Sequence, residues 1–309
     1  MPPERPQVLD TMAAVRLTTE RWRSAGLTVA LVPTMGALHR GHRSLIQRAR
    51  GECDRVVVSI FVNPVQFGEG EDYGRYPRDE AYDLDVCAAE RVDAVYMPAV
   101  DDVYPPGFAL QVNVDGPLVT ELEGAFRPGH FAGVTLMVAK LLVGTRADRA
   151  YFGQKDAQQC AVVRRLARDL DTGTHIVVCP TVRDRDGLAL SSRNAYLSEA
   201  ERADAMAIPR GLAAAAKAVA AGEQDAVRVI ATVREELARS PSVSVDYVAV
   251  VDPVTFEPVE RMSGEARIQV AARIGATRLI DTLCPGLDEI PPAPARTTIS
   301  PEDRAAAAG

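Results

Sequence analysis

The sequence predicts an α/β protein: a doubly wound, mostly parallel sheet followed by a smaller α+β C-terminal domain. Three observations carry this. Apolar runs of strand length alternate with helical patterns from Val29 to Cys179. The strand runs are near-continuous in Val, Ile and Ala, as in strands covered on both faces. Beyond Thr181 the pattern changes to an Ala-rich helical stretch and then to successive strand runs. The expected organisation is therefore residues 1–181, a second domain over 182–284, and a tail over 285–309. The tail is rich in proline, poor in apolar residues and expected to be disordered.

In chain order, Arg16–Arg23 carries a helix pattern and Val29–Val32 a buried strand that Pro33 should end. Thr34-Met35-Gly36-Ala37-Leu38 reads as a small-residue turn, and a helix follows with Leu45, Ile46 and Ala49 on one face. Val56–Val62 completes a right-handed βαβ unit and runs into Asn63-Pro64-Val65-Gln66-Phe67. A Gly- and acid-rich loop over Gly68–Gly74 precedes a helix at Asp79–Arg91 and a strand at Ala94–Met97. The alternation in Phe108–Val114 suggests an edge strand. Helices are expected at Phe131–Val143 and Asp156–Leu170, and strands at Ala150–Phe152 and His175–Cys179. In the second domain a helix over Ser198–Ala221, interrupted by Pro209, precedes a helix over Gln224–Arg239. Strands are expected at Val245–Val251, Ala266–Ala272 and Thr277–Asp281.

Bulk properties remove several function classes. The 309 residues suffice for a full core, and 47% hydrophobic with 25% charged residues is ordinary globular composition. A net charge of −7 and a pI near 5.3 offer no basic field to nucleic acid or an acidic membrane. No apolar run approaches the ~20 residues of a membrane span, and residues 1–7 lack the apolar core of a signal peptide. The five cysteines, odd in number and without C-x-x-C spacing, argue against a disulfide frame or zinc site and fit the cytoplasm.

Strand, small turn and helix start aim backbone N–H groups and the positive helix end at an anion. Here the turn leads into His39-Arg40-Gly41-His42, holding two of the chain's four histidines, whose rings add donors for phosphate oxygens. The alternative is an ordinary βα unit with solvent-facing histidines; the pairing of two of the four histidines around a glycine, with P-T-M-G before them, favours function. The stretch reads as a triphosphate cradle. Gly153-Gln154-Lys155-Asp156 also follows a strand and opens a helix. Lysine is scarce, three against 32 arginines, so Lys155 at this place suggests a phosphate contact. Ser191-Ser192-Arg193-Asn194 offers hydroxyls and a guanidinium near the domain junction. Gln66 and Gln159 suit a ligand with hydroxyls and a carboxylate. His130, after Arg127, is read as structural. All the strand-end groups are expected at one crevice beyond the strands' carboxyl ends. No G-x-x-x-x-G-K-[ST] loop, G-x-G-x-x-G or G-x-S-x-G is present.

Six ordered motifs then carry a resemblance: P-T-M-G-A-L-H-x-G-H, S-I-F-V-N-P-x-Q-F, Y-P-R, E-G-x-x-R-P-G-H-F-x-G-V, F-G-x-K-D-x-Q-Q and D-G-L-A-L-S-S-R-N. Together, over about Val29 to Asp281, the chain resembles the pantoate–β-alanine ligases (pantothenate synthetases) of the H-x-G-H nucleotidyltransferase-like superfamily. The resemblance implies a Rossmann-like domain with a C-terminal lid domain, a cytoplasmic homodimer, and Mg²⁺-assisted use of ATP. The reaction implied joins pantoate to β-alanine, releasing AMP and diphosphate through a pantoyl adenylate. It implies His42 as the catalytic histidine, with His39 and Lys155 beside it as phosphate partners. ATP would be bound by Met35, Gly36, Ala37, Leu38, His39, Arg40, Gly41 and His42. Gly153, Gln154, Lys155, Asp156, Val182, Ser191, Ser192, Arg193 and Asn194 would complete that set. Gln66 would hold pantoate and β-alanine, and Gln159 pantoate. Gln154 stands where the family usually has Glu, Arg40 should face solvent, and Tyr82 before Asp83 leaves the magnesium ligands unassigned. Rival readings are an H-x-G-H adenylyltransferase acting on a phosphate ester and a non-catalytic nucleotide-binding regulator.

Overall fold

The computed structural model describes residues 5–290, which fall into two compact units. One comprises the residues up to Gly153 together with Gln158–Cys179; the other comprises Gln154–Ala157 and the residues from Pro180 onward.

The first unit is built on six parallel strands: β1 (Gln7–Leu9), β2 (Val29–Thr34), β3 (Arg55–Ile60), β4 (Ala94–Tyr96), β5 (Arg149–Gly153) and β6 (His175–Cys179). Their order is β1-β4-β3-β2-β5-β6, the expected doubly wound α/β architecture. From β2 the chain grows one way through β3 and β4 and the other way through β5 and β6. The switch point therefore lies between β2 and β5, beyond their carboxyl ends. Strand alternation explains the continuous apolar runs. Val29, Leu31, Val57, Ala150 and Phe152 pack with residues of the helices Met12–Ser24, His130–Thr145 and Ala157–Asp169. Ala30, Val32, Val56, Val58 and Tyr151 face the opposite way, toward the helices Arg40–Glu52 and Glu80–Ala89.

Local readings are corrected in three places in this unit. Strand β2 continues one residue past Pro33. Val29 accepts from Asp148 on the β5 side, and Thr34 accepts from Phe61 on the β3 side. Pro33 shares Val29's side, where pairing with β5 has stopped at Leu31↔Ala150, so its missing N–H breaks no ladder bond. Phe108–Val114 is not a strand. Its alternation records packing instead: Phe108 stacks edge-on against Tyr104, and the Val112 carbonyl accepts from Thr135, while Leu110 is exposed. The sheet edges are β6 and β1, and the three residues of β1 are too few to show a period.

The second unit has three antiparallel strands in the order β7-β8-β9: β7 (Val243–Val251), β8 (Arg267–Ile274) and β9 (Thr277–Leu283). Ile208, Leu212, Val229, Val233 and Leu237, from the helices Ala207–Ala220 and Ala226–Ala238, pack against Val248, Val250, Ile268 and Val270. The long helix expected over Ser198–Ala221 is two, Glu199–Ala205 and Ala207–Ala220. The break falls before Pro209, which becomes the third residue of a new helix, where a missing N–H costs no intrahelical bond. Residues 285–290 are ordered against this unit, with Asp288 hydrogen-bonded to Arg267 and to the Cys284 amide. The rest of the expected tail, 291–309, lies outside the described residues.

Candidate active site

Helix Arg40–Glu52 begins just after the turn that leaves β2, and its first residues explain what the paired histidines do. His39 is the N-cap, and its Nδ1 accepts the Gly41 amide at 3.1 Å. His42, three residues on, accepts the His39 amide on its own Nδ1 at 3.3 Å. The arrangement is a capping box built from imidazoles instead of Ser and Glu. An Nδ1 that accepts cannot carry the proton, so in each neutral ring the proton sits on Nε2 as a donor. The rings lie 4.1 Å apart, tilted by 32°. Both donors thus sit at the positive end of a helix, where anions are favoured. Arg40 is exposed, while Met35, Ala37, Gly41 and His42 are half-buried.

The turn itself is held from below by a residue the sequence reading left unassigned. Gly36 adopts φ +80° and Ala37 φ +49°, so the chain passes through the left-handed region twice in succession. Asp83, 1% exposed on helix Glu80–Ala89, accepts the Ala37 amide at 2.9 Å and the Leu38 amide at 2.7 Å. A Cβ on Gly36 would come within 2.8 Å of the Asp83 carboxylate, so glycine is required there for space as well as for φ. Burial raises the Asp83 pKa above the usual carboxylate range, against the pull of the two amides. Nothing in sequence separates Asp83 from its acidic neighbours Asp79, Glu80 and Asp85; only the fold buries it.

Gln66 lies in the turn Pro64–Gln66 after β3 and is fixed on several sides. Its Nε2 lies 2.8 Å from Met35 Sδ, and its Oε1 accepts from Asn63. Asn63 also donates to the Gly133 carbonyl and accepts from Tyr104. The backbone of Gln66 is held by His130, whose Nδ1 lies 2.8 Å from the Gln66 carbonyl. Nε2 of His130 meets Arg127 at 3.0 Å, and a guanidinium can only donate, so this His is neutral with its proton on Nδ1. Arg127 in turn grips Glu71 through two 2.7 Å bonds. Burial alone would raise the Glu71 carboxyl, but Arg127 holds it below the usual range. Burial, and then the Arg127 charge, push the His130 pKa down to about 4. The structural reading of His130 thus gains a specific content: it ties Gln66 to the Arg127–Glu71 pair.

That lowered pKa carries a pH expectation. The unfolded chain takes up a proton near pH 6.5, whereas folded His130 does so only near pH 4. Stability from neutral His130 is present above pH 6.5 and is lost, by about 3 kcal/mol in total, as pH falls to about 4. Urea titrations of the wild type and His130→Gln at several pH values should therefore converge on the acid side. A difference that does not change with pH would contradict this.

Gln159 is half-buried near the start of helix Ala157–Asp169, whereas its neighbour Gln158 is buried and structural. Gln158 accepts from the Glu123 amide and donates to the Leu118 and Glu121 carbonyls. Gly153 ends β5, and its carbonyl accepts from the Cys160 thiol.

The remaining candidates form a second group, in the second unit. Val182 pairs with Leu190 through a 3.0 Å backbone bond, closing a hairpin whose return leads into Ser191–Asn194. Ser191 caps the short helical turn Ser192–Tyr196, and Asn194 donates to the Ala189 carbonyl at 3.0 Å. Arg183 anchors this hairpin to β9 through a bidentate pair with Asp281, at 2.6 and 2.9 Å, both side chains almost fully buried. Arg183 also donates to the Gly187 carbonyl. The Asn194 side-chain oxygen is a buried acceptor with no partner among the described residues, so a donor such as a ligand hydroxyl would complete it. Gln154–Asp156 forms one turn against β9, with Lys155 Nζ 3.5 Å from Asp156.

Comparison with known proteins decides the family. The family model described as pantoate-beta-alanine ligase matches residues 7–284. The chain belongs to the pantoate–β-alanine ligase family. It is 51% identical over 271 residues to a pantothenate synthetase of Acidobacterium capsulatum, covering 88% of this chain and 90% of that one. The crystal structure of pantothenate synthetase from Thermus thermophilus matches with a TM-score of 0.85 and 45% identity, over 90% of this chain and 99% of the other. A pantoate-beta-alanine ligase from Francisella tularensis, crystallised with beta-gamma ATP and β-alanine, matches with a TM-score of 0.75 and 33% identity, over 90% and 97%. The ligase class read from the motifs and the α/β fold read from the alternation of strand and helix patterns therefore stand. No helix among the described residues is long and apolar enough to cross a membrane.

Proposed function

We propose that this pantoate–β-alanine ligase condenses (R)-pantoate with β-alanine, driven by ATP, giving pantothenate, AMP and diphosphate. The observation that carries this reading is the imidazole capping box, which fixes two Nε2–H donors at a helix start beyond β2. In the first step a pantoate carboxylate oxygen attacks the α-phosphorus, and the bond to diphosphate breaks. Charge grows on the α-phosphoryl oxygens and on the leaving diphosphate. The roles follow from donor chemistry: His42 and His39 donate from Nε2, and Lys155 supplies a compact positive charge. Residues Met35 to His42, Gly153 to Asp156, Val182 and Ser191 to Asn194 bind the nucleotide. Gln66 and Gln159 hold the pantoate hydroxyls, and Gln66 also contacts β-alanine. In the second step the uncharged amine of β-alanine attacks the acyl carbon, loses a proton, and expels AMP. No protein nucleophile takes part; catalysis is positioning and charge stabilisation.

Magnesium enters with ATP in this reading. Among the described residues no group of three or more His, Cys, Asp or Glu side chains is placed to hold a metal ion. Mg²⁺ commonly needs only one or two carboxylates besides substrate phosphates, and in this reading the nucleotide's phosphates would be its main ligands. When bound, it neutralises charge on the phosphates. Both Asp83 oxygens already accept loop amides, which directs that residue to the loop. A cytoplasmic homodimer is proposed along with the activity.

The test is product analysis. With ATP and pantoate alone, diphosphate should appear in a burst close to one per active site. Sustained AMP formation should need β-alanine as well. Diphosphate release with AMP retained in a stable product would favour an adenylyltransferase instead.

A further inference from the structure

We propose that Asp288 is a positioning residue for Lys155, acting through Gln154. This rests on the reading of Lys155 as the phosphate-binding lysine. Asp288 lies beyond the span matched by the family model, which ends at residue 284, in a segment whose composition suggests a disordered tail. In the structure its carboxylate is fully engaged. Oδ1 accepts from the Gln154 side-chain amide at 2.7 Å. Oδ2 accepts from Arg267 at 3.1 Å and from the Cys284 amide at 2.7 Å. Arg267 and Asp288 are both largely buried, with side chains 15% and 18% exposed.

This network ties the turn Gln154–Asp156 to the second unit. The sequence continues directly from β5 of the first unit, and helix Ala157–Asp169 belongs almost wholly to that unit. Only Gln154–Ala157 packs with the second, and Gln154–Asp288 is a side-chain bond that fastens it there. Lys155, one residue on, takes its place from this anchor. The amide at 154 is also required by charge. A carboxylate at that position would face the Asp288 carboxylate at hydrogen-bond distance, so Gln at 154 and Asp at 288 form one unit of specification.

A charge-exchange series tests the assignment. Gln154→Glu should slow adenylation, followed as single-turnover diphosphate release, by roughly tenfold, the scale of displacing a contact group slightly. Adding Asp288→Asn restores a donor opposite the new carboxylate and should bring the rate back to within about threefold of wild type. Asp288→Ala should also cost roughly tenfold, yet cost almost nothing in a Lys155→Ala background, because the two losses share one cause. The proposal is overturned if Asp288→Asn fails to restore Gln154→Glu. It is equally overturned if Asp288→Ala costs as much without Lys155 as with it. Should Asp288→Ala not fold, the exchange pair decides alone, since it keeps polar groups of the same shape. If the wild-type chain releases no diphosphate with pantoate, the ligase reading itself fails, which is a separate result.

Discussion

His42→Ala is expected to lower the rate of pantoyl adenylate formation by roughly 10²–10³, the usual loss for one preorganised donor to transition-state charge. The imidazole does two jobs, and they can be separated. Its Nδ1 accepts the His39 amide and completes the helix start, a cap of the kind worth about 1 kcal/mol. Its Nε2–H is the group assigned to the phosphoryl oxygens. Asparagine places an acceptor near the Nδ1 position but reaches no further. His42→Asn should therefore keep most of the cap and the melting temperature while remaining as slow as the alanine variant. Lys155→Ala should fall in the same range for chemistry, with little change in stability, since the lysine's ion pair is a 3.5 Å contact with the adjacent, half-exposed Asp156. Single-turnover diphosphate release and thermal melts on the three variants check this. Near-normal release by His42→Asn would remove His42 from the chemistry and leave it a helix cap.

The parts legible in sequence are those in which local pattern and tertiary environment agree. The βαβ unit from Val29 to Val62 was readable because β2 and β3 are apolar on both faces and really are covered on both. The helix start at His39–His42 was readable because its signal is local, whereas the capping box that the two rings form there was not, since imidazoles are not the usual capping side chains. Long-range supports were not. Asp83 reaches a loop 45 residues away, Glu71 meets Arg127 at a separation of 56, and Arg183 pairs with Asp281 across 98 positions. Each is a charged residue among other charged residues, and only burial singles it out. Asp288 was hidden for a further reason. Proline-rich composition describes the average of a segment, and the first few residues of this one are pinned by a single carboxylate.

Asp83→Asn is expected to cost adenylation roughly tenfold to a hundredfold, although the residue lies beneath the loop and not among the proposed ligand contacts. The turn through Gly36 and Ala37 is not self-supporting. A non-glycine residue in the left-handed region is disfavoured by roughly 1–2 kcal/mol, and Ala37 is such a residue. Two amides donating to one buried carboxylate offset that strain, since bonds to a charged acceptor are each worth about 1.5–3 kcal/mol. Asparagine keeps one acceptor and turns an N–H toward the other amide, so the loop loses one bond and gains a donor–donor contact. Because the loop leads directly into His39, the error should appear in the KM for ATP and in the adenylation rate, with the KM for β-alanine little changed. The raised Asp83 pKa adds a pH signature. In the wild type, acidification protonates this carboxyl at a pH above the usual carboxylate range, removing an acceptor from the loop, so the adenylation rate falls there. Asp83→Asn has no such group and should be slow but flat across the same interval. A variant with wild-type rate, or one that keeps the acid limb unchanged, would show that the loop holds its shape without the carboxylate.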